Sequence, residues 1–175
     1  FGMLGSSGFI GVIDYEIGTW TSVVNMLEQI GVKASVCRNP ERLNEFTHVI
    51  LPGVGNFLEA SSKLDELQWR DPLIAKIDSG APTLGICLGM QLLGKSSEES
   101  DGIGLGVMDF KSELLSSDGP FRVPHMGWNS VQIESSHPIF NGWSNDSRFY
   151  FVHSFAVPET SIDAIGLSSH NQVFT

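Results

Sequence analysis

The chain has 175 residues, with 10 Lys and Arg against 20 Asp and Glu, a net charge of −10. That length makes one domain with a sizeable core, and bases so few and scattered exclude a phosphate-tracking nucleic-acid surface. Two cysteines, Cys37 and Cys87, exclude a disulfide framework and fit a reducing compartment; with no apolar run near the ~20 residues that cross a bilayer, a cytoplasmic protein with no membrane contact is expected.

Phe9 to Asp14 (FIGVID) is a compact apolar run and predicts a first, buried strand. Trp20, Val23, Val24, Leu27 and Ile30 recur at helical spacing, and Gly31 stands where a helix-ending glycine belongs. Residues 32–36 predict a second strand and residues 48–51 a third, ended by Pro52-Gly53. Residues 58–67 read as a helix of mixed character. Pro72, Leu73, Ile74 and Ile77 predict another, closed by Gly80 and leading into a strand before Cys87. Ser96 to Asp101 (SSEESD) reads as an exposed loop. Beyond Gly102, short segments rich in Gly, Ser and aromatics (102–110, 121–133, 148–157) predict later strands, partly antiparallel, on the same sheet. Short strands alternating with amphipathic helices mean an α/β fold: three layers, a mainly parallel sheet with helices on both faces. Residues 1–8 (FGMLGSSG) read as a flexible leader or expression remnant, leaving 9–175 as a single domain.

The most informative segment is Thr83 to Leu93, TLGICLGMQLL. An apolar strand turns at Cys87 into an apolar helix start, and Gly85 and Gly89 flank the cysteine by two residues on each side. Glycines at that spacing permit a strand-to-helix turn without Cβ clashes and push the central side chain out at the end of a sheet. That is the logic of a nucleophile elbow, here carrying sulfur. The positive end of the helix dipole favours a thiolate at such a position. A buried, inert cysteine is the plainer alternative. The backbone N–H of Leu88, directly after the nucleophile, is a natural oxyanion donor. PGVG (52–55) follows a strand, either as an ordinary tight turn or as a turn in which Val54 or Gly55 offers a second. Gln91, one turn beyond Cys87 on the same helix face, is placed to hydrogen-bond a substrate.

GICLGMQLL (85–93), LPGVGNF (51–57), VPHMGWNSV (123–131) and FYFVHSF (149–155), in this order, resemble class I (triad-type) glutamine amidotransferases. Among these they are most similar to the glutaminase subunits of imidazole glycerol phosphate synthases, and the similarity runs from about Ile10 to the end of the chain. The resemblance implies a flavodoxin-like sheet and glutamine as substrate. It implies hydrolysis to glutamate and ammonia through a thioester on Cys87, with ammonia delivered to a (β/α)8 synthase subunit in a heterodimer. No cofactor or metal is implied. His153, Ser154 and Phe155 then clamp the glutamine carboxylate, with Phe155 where relatives often carry tyrosine. Glu99 is a weaker choice for the substrate amino group. His125, Met126, Gly127, Trp128 and Asn129 form the strip facing the synthase subunit.

The family's triad takes its His and Glu from a His-Pro-Glu segment near the C-terminus, and none occurs in residues 1–175. The expectation is that the chain is cut short of that segment. Two other readings stay open. One is a paralogous amidotransferase serving amino-sugar or surface-polysaccharide synthesis, suggested by DYEIGTWTSV (14–23), which is poorer in glycine than the histidine-pathway version. The other is a non-catalytic module of the same fold.

Overall fold

A computed structural model describes residues 8–161 and 163–175. Apart from Gly8, the leader read over residues 1–8 lies outside the described residues. The central sheet has the strand order β2-β1-β3-β4, built from Ile10–Ile13 (β1), Ala34–Cys37 (β2), His48–Gly53 (β3) and Thr83–Cys87 (β4). All its pairings are parallel. The helix Trp20–Gln29 (α1) joins β1 to β2, a short 3-10 helix at Pro40–Glu45 joins β2 to β3, the helices Phe57–Glu66 (α2) and Arg70–Asp78 (α3) join β3 to β4, and a further helix, Leu88–Leu93 (α4), leaves β4 directly.

Alternation along the strands separates the two faces. Ile10, Val12 and Ile50 pack against Trp20, Val23, Val24 and Leu27 of α1. Ile13, Val49 and Leu51 point the other way, into a larger core with Phe57, Ala60 and Leu64 of α2, Leu73 of α3, and Leu88 and Leu92 of α4. Helices on both faces of a parallel sheet were expected from the sequence, and the apolar runs of β1 and β3 have the two-sided burial such strands require. Gly31 ends α1 at φ 74. Asn56 caps α2, its side-chain oxygen accepting from Leu58 N–H (2.9 Å) and Glu59 N–H (3.2 Å).

Four expectations are corrected. β3 does not stop before Pro52-Gly53 but runs through both, pairing Pro52 with Ile86 and Gly53 with Cys87. β1 has ended by then, its last partner in β3 being Ile50, so a proline without an N–H is tolerated on that free side. Residues 96–101 are not a simple loop. They carry Ser96–Ser97 (β5) and the start of Ser100–Ile103 (β6), with Ser97 buried.

The later strands do not join the parallel sheet. His125–Ser130 (β8) and Arg148–His153 (β10) form an antiparallel ribbon. Lys111–Leu114 (β7) and Phe155–Ala156 (β11) belong with β5 and β6. Gln132–Ile133 (β9), Gly166–His170 (β12) and Gln172–Phe174 (β13) form a third small sheet. Of residues 102–110 only the first two are strand; the rest turns, burying Leu105 and Phe110. Among the described residues, no helix is long and apolar enough to cross a membrane.

Candidate active site

Cys87 sits at the junction of β4 and α4 with φ 55 and ψ −118. A non-glycine residue in that region costs roughly 1–3 kcal/mol, and such strain persists only where the surroundings impose it. The flanking glycines show how it is imposed. A Cβ on Gly85 would lie 2.5 Å from the Met90 Cα, and one on Gly89 would overlap the Leu51 carbonyl oxygen. The turn is so tight that backbone occupies the space of both side chains. Its product is an exposed thiol, in contrast to buried Cys37, whose thiol is bonded to the Asn39 carbonyl and pushed up by burial.

The thiol opens onto a cavity of about 540 Å³ between the end of the parallel sheet and the later strands. Its walls include Ile86, Met90 and Gln91 from the β4–α4 unit, Tyr150 to His153 and Phe155 from the ribbon and its exit, and Gly166 to Ser168 from β12. Gln91 is buried, and its side-chain oxygen finds no partner among the described residues. A buried, unpaired acceptor costs about 1–3 kcal/mol, and its complement is a donor such as an ammonium group. Gly53, opposite Cys87 in the ladder, leads directly into Val54 and Gly55, so the PGVG turn starts beside Cys87.

The remaining sequence candidates are divided. His153 and Phe155 line the cavity, while Ser154 sits between β10 and β11 and its carbonyl accepts from Leu115 N–H at 2.8 Å. Glu99 is brought to α2, where its carboxylate accepts from Phe57 N–H at 2.8 Å. It lines a neighbouring groove that also touches Phe155. Strand alternation splits the strip of residues 125–129. Met126 and Trp128 face outward at 61% and 63% exposure, whereas His125 is buried and Asn129 half-buried. The outward face is completed across the ribbon by Val152 and Tyr150, paired with Met126 and Trp128 respectively. Sequence reading missed these two, although the period-2 alternation of RFYFVH carries them.

The inward face carries a chain of hydrogen bonds that fixes its own tautomers. A carbonyl only accepts, so His153 Nδ1–H donates to Phe155 O (3.0 Å), leaving His153 Nε2 as acceptor. His125 Nδ1–H therefore donates to it at 2.9 Å, and His125 Nε2 accepts from Asn129 Nδ2 at 3.4 Å. His125 also stacks on His170 with centroids 4.3 Å apart. Burial, then the neighbouring His170 and His153, push His125 down to about 4, and burial pushes His153 down as well. With both nitrogens committed, His153 is a fixed wall of the cavity and not a base for Cys87.

This arrangement predicts acid sensitivity. An unfolded histidine takes its proton near pH 6.5, while folded His125 resists until about 4. Within that window the unfolded state binds more protons, so stability is full above it and falls as pH drops. Urea midpoints should decrease from about pH 7.5 to about pH 5, and His125→Phe, which keeps the ring stack, should flatten the slope. Equal slopes in the two proteins would contradict the assignment.

The class-I glutamine amidotransferase family model matches residues 11–173. The chain is 40% identical over 166 residues to imidazole glycerol phosphate synthase subunit HisH 2 of Pseudomonas aeruginosa, covering 94% of this chain and 82% of that protein. It is equally identical, over the same length and coverage, to subunit HisH of Methanocaldococcus jannaschii. Among solved structures, a glutamine amidotransferase superposes with a TM-score of 0.71 at 17% identity, covering 94% of this chain and 86% of the other. A chain of PurLQS from Thermotoga maritima does so at 0.68 and 18%, covering 94% and 76%. These two likenesses establish the fold.

Proposed function

The chain belongs to the class-I glutamine amidotransferase family, and from that premise we propose that it is the glutaminase subunit of an imidazole glycerol phosphate synthase, with Cys87 as nucleophile. The observation carrying this reading is the strained, exposed thiol of Cys87 opening onto a cavity that also holds the unpaired oxygen of Gln91. The thiolate attacks the side-chain amide carbon of glutamine. The developing oxyanion is met by the N–H of Leu88 and by that of Val54 or Gly55, a contribution of ~3–4 kcal/mol per donor to the transition state. The C–N bond breaks as the nitrogen takes up the proton that the thiol gave up, ammonia leaves, and water cleaves the resulting thioester to glutamate and the free thiol. Gln91 accepts from the substrate ammonium; His153 and Phe155 bound the far end. No His-Pro-Glu segment occurs in residues 1–175, so the reading assigns the nucleophile and no base.

Ammonia is mostly ammonium near neutral pH and useless as a nucleophile once protonated, so an enclosed route to an acceptor has a chemical reason. Met126, Trp128, Tyr150 and Val152 form an exposed apolar face, and the last two also line the cavity of Cys87. Exposed apolar surface continuous with a reaction cavity suits a docked partner, and we assign it to a (β/α)8 synthase subunit. Glutamate release measured with and without a synthase subunit, on a chain that carries a C-terminal His-Pro-Glu segment, tests the whole reading, and no release under either condition would sink it. Trp128→Asp should weaken association on the order of 30-fold, the scale of an aromatic anchor, without lowering the unfolding temperature. A hydrogen-exchange footprint on the opposite edge of the sheet would refute this placement.

A further inference from the structure

We propose that Tyr15 is a positioning residue for the nucleophile turn, its buried hydroxyl acting as a reorientable dipole that turns toward the charge formed at Cys87. The inference rests on Cys87 being the nucleophile. Tyr15 follows β1, is completely buried, and its hydroxyl finds no partner among the described residues. Its location is set by two glycines. A Cβ on Gly53 would meet the Tyr15 hydroxyl at 2.7 Å, Gly89 N at 2.8 Å and Leu88 Cβ at 3.0 Å. The phenol therefore reaches the point where the residue opposite Cys87 touches the two residues that follow Cys87. A Cβ on Gly18 would lie 3.1 Å from Gly53 Cα, so the backbone of the 14–18 loop presses on the same spot.

The other polar groups of that loop are engaged elsewhere. Asp14 pairs with Arg38 at 3.0 Å and Glu16 with Lys63 at 2.8 Å. Phenylalanine would fill the same space without an orphaned hydroxyl, so a tyrosine here costs stability. A hydroxyl with no fixed partner is free to rotate, and in a dry site an aligned dipole acts strongly on a nearby charge. Burial first, and the neighbouring Cys87 second, push the phenol up, so Tyr15 stays a protonated dipole.

The test is Tyr15→Phe, read as the rate of iodoacetamide alkylation of Cys87 across pH by mass spectrometry, with buried Cys37 as the slow internal reference. The expected result is a profile displaced to higher pH and alkylation slowed about tenfold at neutral pH, with an unfolding temperature equal to or above that of the parent. Where glutamine turnover is measured, kcat falls and KM holds. A profile that stays in place or moves to lower pH would overturn the proposal. Alkylation does not require turnover, so a chain that carried the His-Pro-Glu segment and still failed to hydrolyse glutamine would sink the functional reading while this readout still judged Tyr15.

Discussion

Replacing Cys87 by alanine should abolish glutamine hydrolysis, a loss on the order of 10³-fold or more, as for nucleophiles that act in concert with their surroundings. The fold should not notice. The side chain is exposed and packs no core, and alanine suffers the same strain at φ 55 that cysteine does. A surface change of this kind stays within about 0.5 kcal/mol. Glycine at the same position separates chemistry from strain. Cys87→Gly should be equally inactive yet more stable by roughly 1 kcal/mol, because glycine adopts this backbone freely. Urea midpoints of the two variants, measured beside glutamate release, check both halves. Hydrolysis surviving in either variant would remove Cys87 from the mechanism. Equal midpoints would remove the claim that the turn stores strain.

Among the glycines of the described residues, Gly89→Ala should be one of the most damaging changes. The new carbon would overlap the Leu51 carbonyl oxygen, with the Pro52 carbonyl carbon 3.1 Å away. Both are backbone of a central strand and have no rotamer by which to yield. Overpacking against movable side chains costs about 1–3 kcal/mol, and here the loss should exceed that range, with α4 forced off β3 and the thiol displaced. Gly31→Ala is the control. It too has positive φ, 74, but nothing lies within 4 Å of its Cβ, so only the backbone cost of about 1 kcal/mol applies. Denaturant midpoints of the pair give the contrast directly. A Gly89→Ala protein that unfolds with the parent would show that the turn is looser than its geometry.

Much of the parallel half was legible because its signals are local. The apolar run of residues 10–13, the helical spacing from Trp20 to Ile30 and the glycine-flanked cysteine each specify an element within a few residues. Pro52 misled because the rule that proline stops a strand holds only where a neighbour needs its N–H, and β1 ends at that level. Of the later strands, β8 to β11 fall in segments read as strands, β7, β12 and β13 do not, and the division into three separate sheets was not legible. Pairings such as Phe155 with Leu114, or Gly166 with Ile133, join residues far apart in sequence and leave no periodic trace. For the site, sequence singled out Cys87 and Gln91, which the structure brings to one cavity. It could not find Tyr15, whose importance lies in a contact with Gly53, nor see that alternation would turn His125 inward from Trp128.

The walls of the cavity have a history in time as well as a position in space. Cys87, Met90 and Gln91 stand on an element complete within a single strand-helix unit, while the facing wall is drawn from residues 131 to 175. As the chain emerges from the ribosome, the parallel sheet has all its strands while that facing wall is still unmade. Closing loops of such length is slow compared with forming the local turn. The exposed thiol thus precedes the cavity it opens onto. The nascent protein passes through an interval in which that thiol has no facing wall, and what screens its access arrives only with the later strands.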